Sequence, residues 1–156
     1  MAADRADVLV RVAGARDAGA IASLRSLWSA GGDEPGFEAR LAAWLEAEGD
    51  RRTTWLAVHG EAPVGMASLF EYRRMPRPGQ PASRWGYVSN MFVRETVRNR
   101  GIGSALLAAV VAAASERSYA RLVVSPADRA LPFYRRAGFV VADGAADGDR
   151  LLVRRS

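Results

Sequence analysis

A chain of 156 residues has the length of one domain, and such a domain buries roughly 70% of the surface its unfolded form exposes, so folding without a metal or disulfide staple is expected. It contains no cysteine, no lysine and a single histidine, His59, which excludes disulfides, thiolate zinc sites, cysteine nucleophiles, Schiff-base chemistry and the usual zinc-hydrolase ligand pairs. The net charge of +5 arises from 22 arginines against 17 acids. These arginines are scattered and lysine is absent, a pattern of GC-rich coding on ordinary surfaces, so no nucleic-acid partner is expected.

In chain order, Met1 to Asp7 has no apolar leader core, and no stretch nears an uninterrupted membrane span, so a cytoplasmic protein without membrane contact is expected. Val8 to Val12 reads as a strand. Ala20, Ile21, Leu24, Leu27 and Trp28 recur at helical spacing up to Gly31 and Gly32, and Phe37, Leu41, Trp44 and Leu45 form a second helix between Pro35 and Gly49. Strands follow at Thr53 to Val58 and Val64 to Glu71. The turn between them holds His59, which has no Gly-x-Ser-x-Gly elbow to accompany it. Pro76, Pro78, Gly79 and Pro81 make Arg73 to Arg84 a loop.

A strand through Tyr87 to Val93 then feeds a helix of about 102 to 117, whose apolar positions are Ile102, Leu106, Leu107, Val110, Val111 and Ala114. A strand at 121 to 125, a helix at about 129 to 137 stopped by Gly138, and strands at 139 to 142 and 151 to 154 complete the chain. Periodicity therefore predicts the order β-αα-βββ-α-β-α-ββ over one domain, 1–156, with no repeat or linker.

The loop Arg98-Asn99-Arg100-Gly101-Ile102-Gly103 joins that fourth strand to its helix. Amides at a helix N-terminus are unpaired and partly positive, glycines admit a phosphate without a Cβ, and arginines add charge, so the loop reads as a phosphate cradle. A nucleotide P-loop would need a lysine, which the chain lacks. A dinucleotide fingerprint would need glycine or alanine where Leu106 stands, and an acid at the end of the next strand, which reads Leu122-Val123-Val124-Ser125.

The loop has the form Arg/Gln-x-x-Gly-x-Gly/Ala and resembles the pyrophosphate loop of the GCN5-related N-acetyltransferase superfamily. The later segment Phe133-Tyr134-Arg135-Arg136-Ala137-Gly138-Phe139 is similar to that family's Phe/Leu-Tyr-x-x-x-Gly-Phe. This resemblance implies the acyl-CoA N-acyltransferase fold: an α/β (α+β) domain with a mixed, mostly antiparallel sheet and helices on both faces. It also implies acetyl-coenzyme A as co-substrate without a metal, and direct transfer to an amine of a small molecule or protein N-terminus. The alternative is a non-catalytic acyl-CoA-binding module of the same fold. Whether it acts as a monomer or a homodimer is left open.

By the same resemblance, strands four and five diverge, and backbone groups of Met91, Phe92 and Val93 take the pantetheine arm and thioester oxygen. Arg98, Asn99, Arg100, Gly101, Ile102, Gly103 and Ser104 take the pyrophosphate, and Tyr134 protonates the thiolate. Ala127 replaces a common asparagine, with Ser125 and Asp128 as nearby substitutes. Family members take the amine's proton with a strand glutamate, with a distant carboxylate through water, or with no identifiable residue; Glu71, at the end of strand three, is the best candidate for this base, and Glu95 is expected to cap or pair. Asp33, Glu34, Asp143, Asp147 and Asp149 lie in the regions that wall the acceptor pocket in that family, where acids would favour a cationic amine, although aspartate is also an ordinary turn residue.

Overall fold

The computed structural model describes residues 7–29, 31–142 and 151–155. The elements run β1 (Val8–Val12), α1 (Ala18–Trp28), α2 (Phe37–Glu48), β2 (Arg52–His59), β3 (Ala62–Arg73), β4 (Arg84–Val93), α3 (Ile102–Glu116), β5 (Arg121–Val124), α4 (Leu131–Arg136), β6 (Val140–Val141) and β7 (Leu152–Arg155). This is the predicted order. β4 begins at Arg84 instead of Tyr87, so the proline-bearing loop is shorter than expected. Asp143, Asp147 and Asp149 lie outside the described residues. No helix among the described residues is long and apolar enough to cross a membrane.

Seven strands form one sheet in the order β1-β2-β3-β4-β5-β7-β6. Every pairing is antiparallel except β4 with β5. Strand side chains alternate between the two faces. Leu56 of β2 and Met66 of β3 join Ile21, Leu24 and Phe92 under α1 and α2, whereas Trp55, Ala57, Ala67, Leu69 and Val88 join α3 and α4 on the other face. The larger core belongs to α3, which buries Ile102, Leu106, Leu107, Val110, Ala113 and Ala114 at helical spacing. Leu106 is fully enclosed, so truncating it to alanine would cost about 2–5 kcal/mol.

Two irregularities in β4 set up the site. Its pairing with β5 consists of only Gly86↔Leu122 and Tyr87↔Val123, so beyond Tyr87 the strands part like a fork. Within β3–β4 the register passes from Ser68↔Ser89 to Met66↔Phe92; Asn90 and Met91 therefore face Ala67 alone, a bulge. Asn90 has φ +52°, a left-handed conformation asparagine tolerates better than most residues. At the closed end of the fork, a Cβ on Gly86 would lie 2.6 Å from Leu69 and 2.9 Å from Leu122. Only glycine allows that approach.

Candidate active site

At the open end of the fork the chain leaves Val93, passes a 3-10 turn at Glu95–Val97 and enters α3 at Ile102. Asn99 and Gly101 are both left-handed, at φ +63° and +79°. Gly101 caps α3 without a side-chain hydrogen bond, and the amide of Ala105 donates to the Gly101 carbonyl at 3.0 Å. The amides of Ile102, Gly103 and Ser104 precede that bond and have no intrahelical acceptor. A Cβ on Gly103 would sit 3.5 Å from the Phe133 ring, so α4 flanks the same turn. Between α3 and α4 a groove of about 300 Å³ runs from Ser104 past Leu107 and Val111 to Phe133 and Arg136. The residues of the loop and the residues of α4 are thus brought together.

Arg98 is more committed than its place in the loop suggested. Its Nε donates to the Val93 carbonyl at 2.9 Å, and its guanidinium lies 5.8 Å over the Phe92 ring. Phe92 in turn stacks on Trp28 of α1. The bulge sends Phe92 to the α1/α2 face while Met91 and Val93 pack toward α3.

Tyr134 is buried, edge-to-face with Phe133 at 5.0 Å and with Phe139 at 5.5 Å. Its hydroxyl has no hydrogen-bond partner among the described residues. Burial, and then the nearby Tyr87, push its pKa up to about 12, because a phenolate there would be both desolvated and repelled. Tyr87 occupies the last paired rung of the fork. Sequence reasoning missed this second phenol: its alternation marks it only as a strand residue, and its place beside Tyr134 is a tertiary fact.

Glu71, the expected general base, sits in a hydrogen-bond network. It is buried on the α3 face at the closed end of the fork, where it pairs with Gly86. Its carboxylate accepts from the Tyr119 hydroxyl at 2.7 Å, from Arg73 Nε at 2.6 Å and from Arg84 Nη1 at 3.4 Å. Burial opposes the charge, but the hydrogen bonds from Tyr119 and Arg73 and the charges of Arg73 and Arg84 outweigh it and hold the pKa below the ordinary carboxylate range. A general base needs an open lone pair and a raised pKa. The pKa of Glu71 is lowered instead, and its bonds clamp β3, β4 and the end of α3 together.

Ser125, Asp128 and Glu95 are exposed. Asp33 and Glu34 line a pocket of about 510 Å³ with Glu38 and Arg94. A second cavity, of about 230 Å³, lies under α1 and α2 against β2, β3 and Asn90, and neither acid lines it.

Residues 20–139 match the model of the acetyltransferase (GNAT) family. No curated protein is similar enough to match the chain. Among solved structures, a Trypanosoma brucei acetyltransferase is 22% identical with a TM-score of 0.74, covering 89% of this chain and 96% of that one. A predicted acetyltransferase from Clostridium acetobutylicum, solved with acetyl-CoA, is 22% identical with a TM-score of 0.71, covering 88% and 93%. A ribosomal-protein-alanine N-acetyltransferase from Brucella melitensis biovar Abortus 2308 is 22% identical with a TM-score of 0.70, covering 89% and 95%.

Proposed function

The chain belongs to the acetyltransferase (GNAT) family, and from that premise we propose that it transfers an acetyl group from acetyl-coenzyme A directly to an amine. The observation that carries this reading is the fork: β4 loses its β5 partner beyond Tyr87, beside a Tyr134 hydroxyl that has no partner among the described residues. The uncapped first turn of α3 and the groove beside it fit the co-substrate independently. When bound, that co-substrate supplies an activated acetyl thioester.

The amides of Ile102, Gly103 and Ser104 hold the pyrophosphate, aided by the helix dipole and by the charge of the Arg98–Arg100 loop. Arg98 fixes the Val93 end of β4, keeping the backbone of Met91, Phe92 and Val93 in position for the arm and the carbonyl oxygen. Amide donors aimed at that oxygen stabilise the charge it gains as the amine attacks. Tyr134 gives its proton to the departing sulfur; a pKa near 12 keeps the phenol protonated at neutral pH. With Glu71 committed to its clamp, the amine loses its proton to solvent before attack. Direct transfer also suits a chain without cysteine, whose one histidine lies at the β2–β3 turn.

A melting experiment tests the assignment. Acetyl-coenzyme A and desulfo-coenzyme A at ~100 times their dissociation constants should each stabilise the protein by ~2.7 kcal/mol, since the cradle does not touch the sulfur. No shift with either at millimolar concentration removes the co-substrate and the function with it.

A further inference from the structure

The cavity under α1 and α2 holds about 230 Å³, less than the ~300–1,000 Å³ typical of pockets for drug-sized ligands. That volume suits a small occupant. Ile21, Phe37, Leu41, Trp44, Leu45 and Met66 make the wall. Its polar atoms are few: the buried hydroxyls of Thr54 and Ser68 are bonded to each other at 3.1 Å, and Asn90 stands where the bulge turns β4 toward this face. The cavity thus reaches Asn90, which directly precedes the segment of β4 proposed to hold the thioester.

One cation lines it without an acid to balance it. Arg25 of α1 lies 4.5 Å over the Trp28 ring, and among the described residues it has no carboxylate partner. Arg52, near the same aromatic wall, is already bonded to Glu48 at 2.8 Å. Of the acids on this side of the molecule, Asp33, Glu34 and Glu38 line the neighbouring pocket instead, and Glu34 is paired with Arg40 at 2.8 Å. An apolar wall with one unbalanced guanidinium complements a small apolar body bearing one anionic group. To be an acceptor it must also present an amine toward β4.

We propose that this cavity is the acceptor site and that the acceptor is a free apolar α-amino acid of leucine or phenylalanine size, its side chain among Phe37, Leu41 and Trp44 and its carboxylate on Arg25. The proposal rests on the acetyltransferase reading. It departs from the cationic amine that the acids of the α1–α2 loop suggested, because those acids do not line the cavity. The amine nitrogen bonds to the acetyl carbon, the carbon–sulfur bond breaks, the proton shed by nitrogen goes to solvent, and Tyr134 supplies one to sulfur and recovers it from solvent.

Thiol release from acetyl-coenzyme A is followed with phenylalanine, leucine, phenylalaninamide and spermidine, for wild type and for Arg25→Gln. The chain's lack of cysteine leaves no protein thiol in the background. Phenylalanine or leucine should exceed phenylalaninamide and spermidine in kcat/KM by about 10-fold or more, as expected for losing one charge-assisted contact. Arg25→Gln should collapse that preference over the amide to about unity, through KM. Better turnover of spermidine or the amide, or an undiminished preference in Arg25→Gln, overturns the proposal. Calorimetry separates the two levels: coenzyme A binding without amino-acid binding or turnover overturns the acceptor class alone, whereas failure of coenzyme A to bind overturns the acetyltransferase reading beneath it. A coenzyme A-induced melting shift retained by Arg25→Gln shows that the variant is folded.

Discussion

The hydroxyl of Tyr119, just past α3, donates to the carboxylate of Glu71 in the middle of the sheet at 2.7 Å, with Tyr119 itself almost completely enclosed. This bond ties the end of the longest helix to β3 at the closed end of the fork, so it bears on how rigidly the fork is held. Tyr119→Phe keeps the ring and leaves a buried carboxylate one donor short. Hydrogen bonds to charged groups contribute about 1.5–3 kcal/mol, and chemical denaturation should report a loss in that range. A loss within measurement error would mean that water replaces the phenol.

The same clamp sets an acid limit. The folded-state pKa of Glu71 is lowered, and that of Asp17 is brought to about 2 by the Arg11 side chain and then the Gly14 amide. A lowered folded value means the unfolded chain takes up protons first as pH falls. Their contributions are therefore complete above the ordinary carboxylate pKa of ~4 and disappear as pH drops through the folded values. Melting temperature measured from pH 7 to pH 2 should fall most steeply below about pH 4 to 5, and Glu71→Gln should flatten that fall while lowering stability at pH 7. A variant whose acid profile parallels wild type would detach Glu71 from the effect.

Gly103→Asp tests the cradle with little structural cost. Its Cβ would meet the Phe133 ring at an ordinary 3.5 Å, so the melting temperature without ligand should change little. A carboxylate beside the pyrophosphate costs several kcal/mol, and coenzyme A affinity by calorimetry should drop by at least ~100-fold. Gly101→Asp should lose affinity similarly, but its left-handed backbone at φ +79° adds a stability loss of about 1–2 kcal/mol. Unchanged affinity in both variants would move the phosphate elsewhere.

The order of elements was legible because each one carries its own period: Leu106, Leu107 and Val110 repeat as a helix, and the prolines at 76, 78 and 81 exclude any regular element between β3 and β4. The junction of β4 and α3, where the cradle is proposed, was legible for the same local reason. The buried setting of Glu71 left a signal in the sequence: it shares parity with Ala67 and Leu69, which face α3, so alternation alone turns its carboxylate into the core and not to solvent. The bulge at Asn90 left one trace, a residue type that accepts φ > 0, but where two strands slip by a residue is decided by what they pack against. Arg25 and Trp28 are spaced i, i+3 and could be paired from the sequence. That no acid answers Arg25 among the described residues depends on how α1 and α2 lie on the sheet. Similarly, Tyr87 acts on the charge of Tyr134 only in the folded chain, since the two lie on separate elements.

Tyr134→Phe separates proton donation from packing. The ring contacts to Phe133 and Phe139 survive the change, and the lost hydroxyl has no partner among the described residues, so folding and coenzyme A binding should be little affected. General acid catalysis contributes about 10²- to 10⁴-fold, and kcat should fall by at least the lower figure with the best acceptor. The pH dependence adds a check, since the folded pKa of this phenol is raised to about 12 by burial and Tyr87. Its neutral form stabilises the fold fully below the ordinary phenol value of ~10, and that contribution is lost as pH rises toward 12. Tyr134→Phe should therefore be less sensitive to alkaline unfolding than wild type even as it loses activity at neutral pH. Turnover close to wild type in the variant would assign Tyr134 to packing and leave solvent to protonate the thiolate.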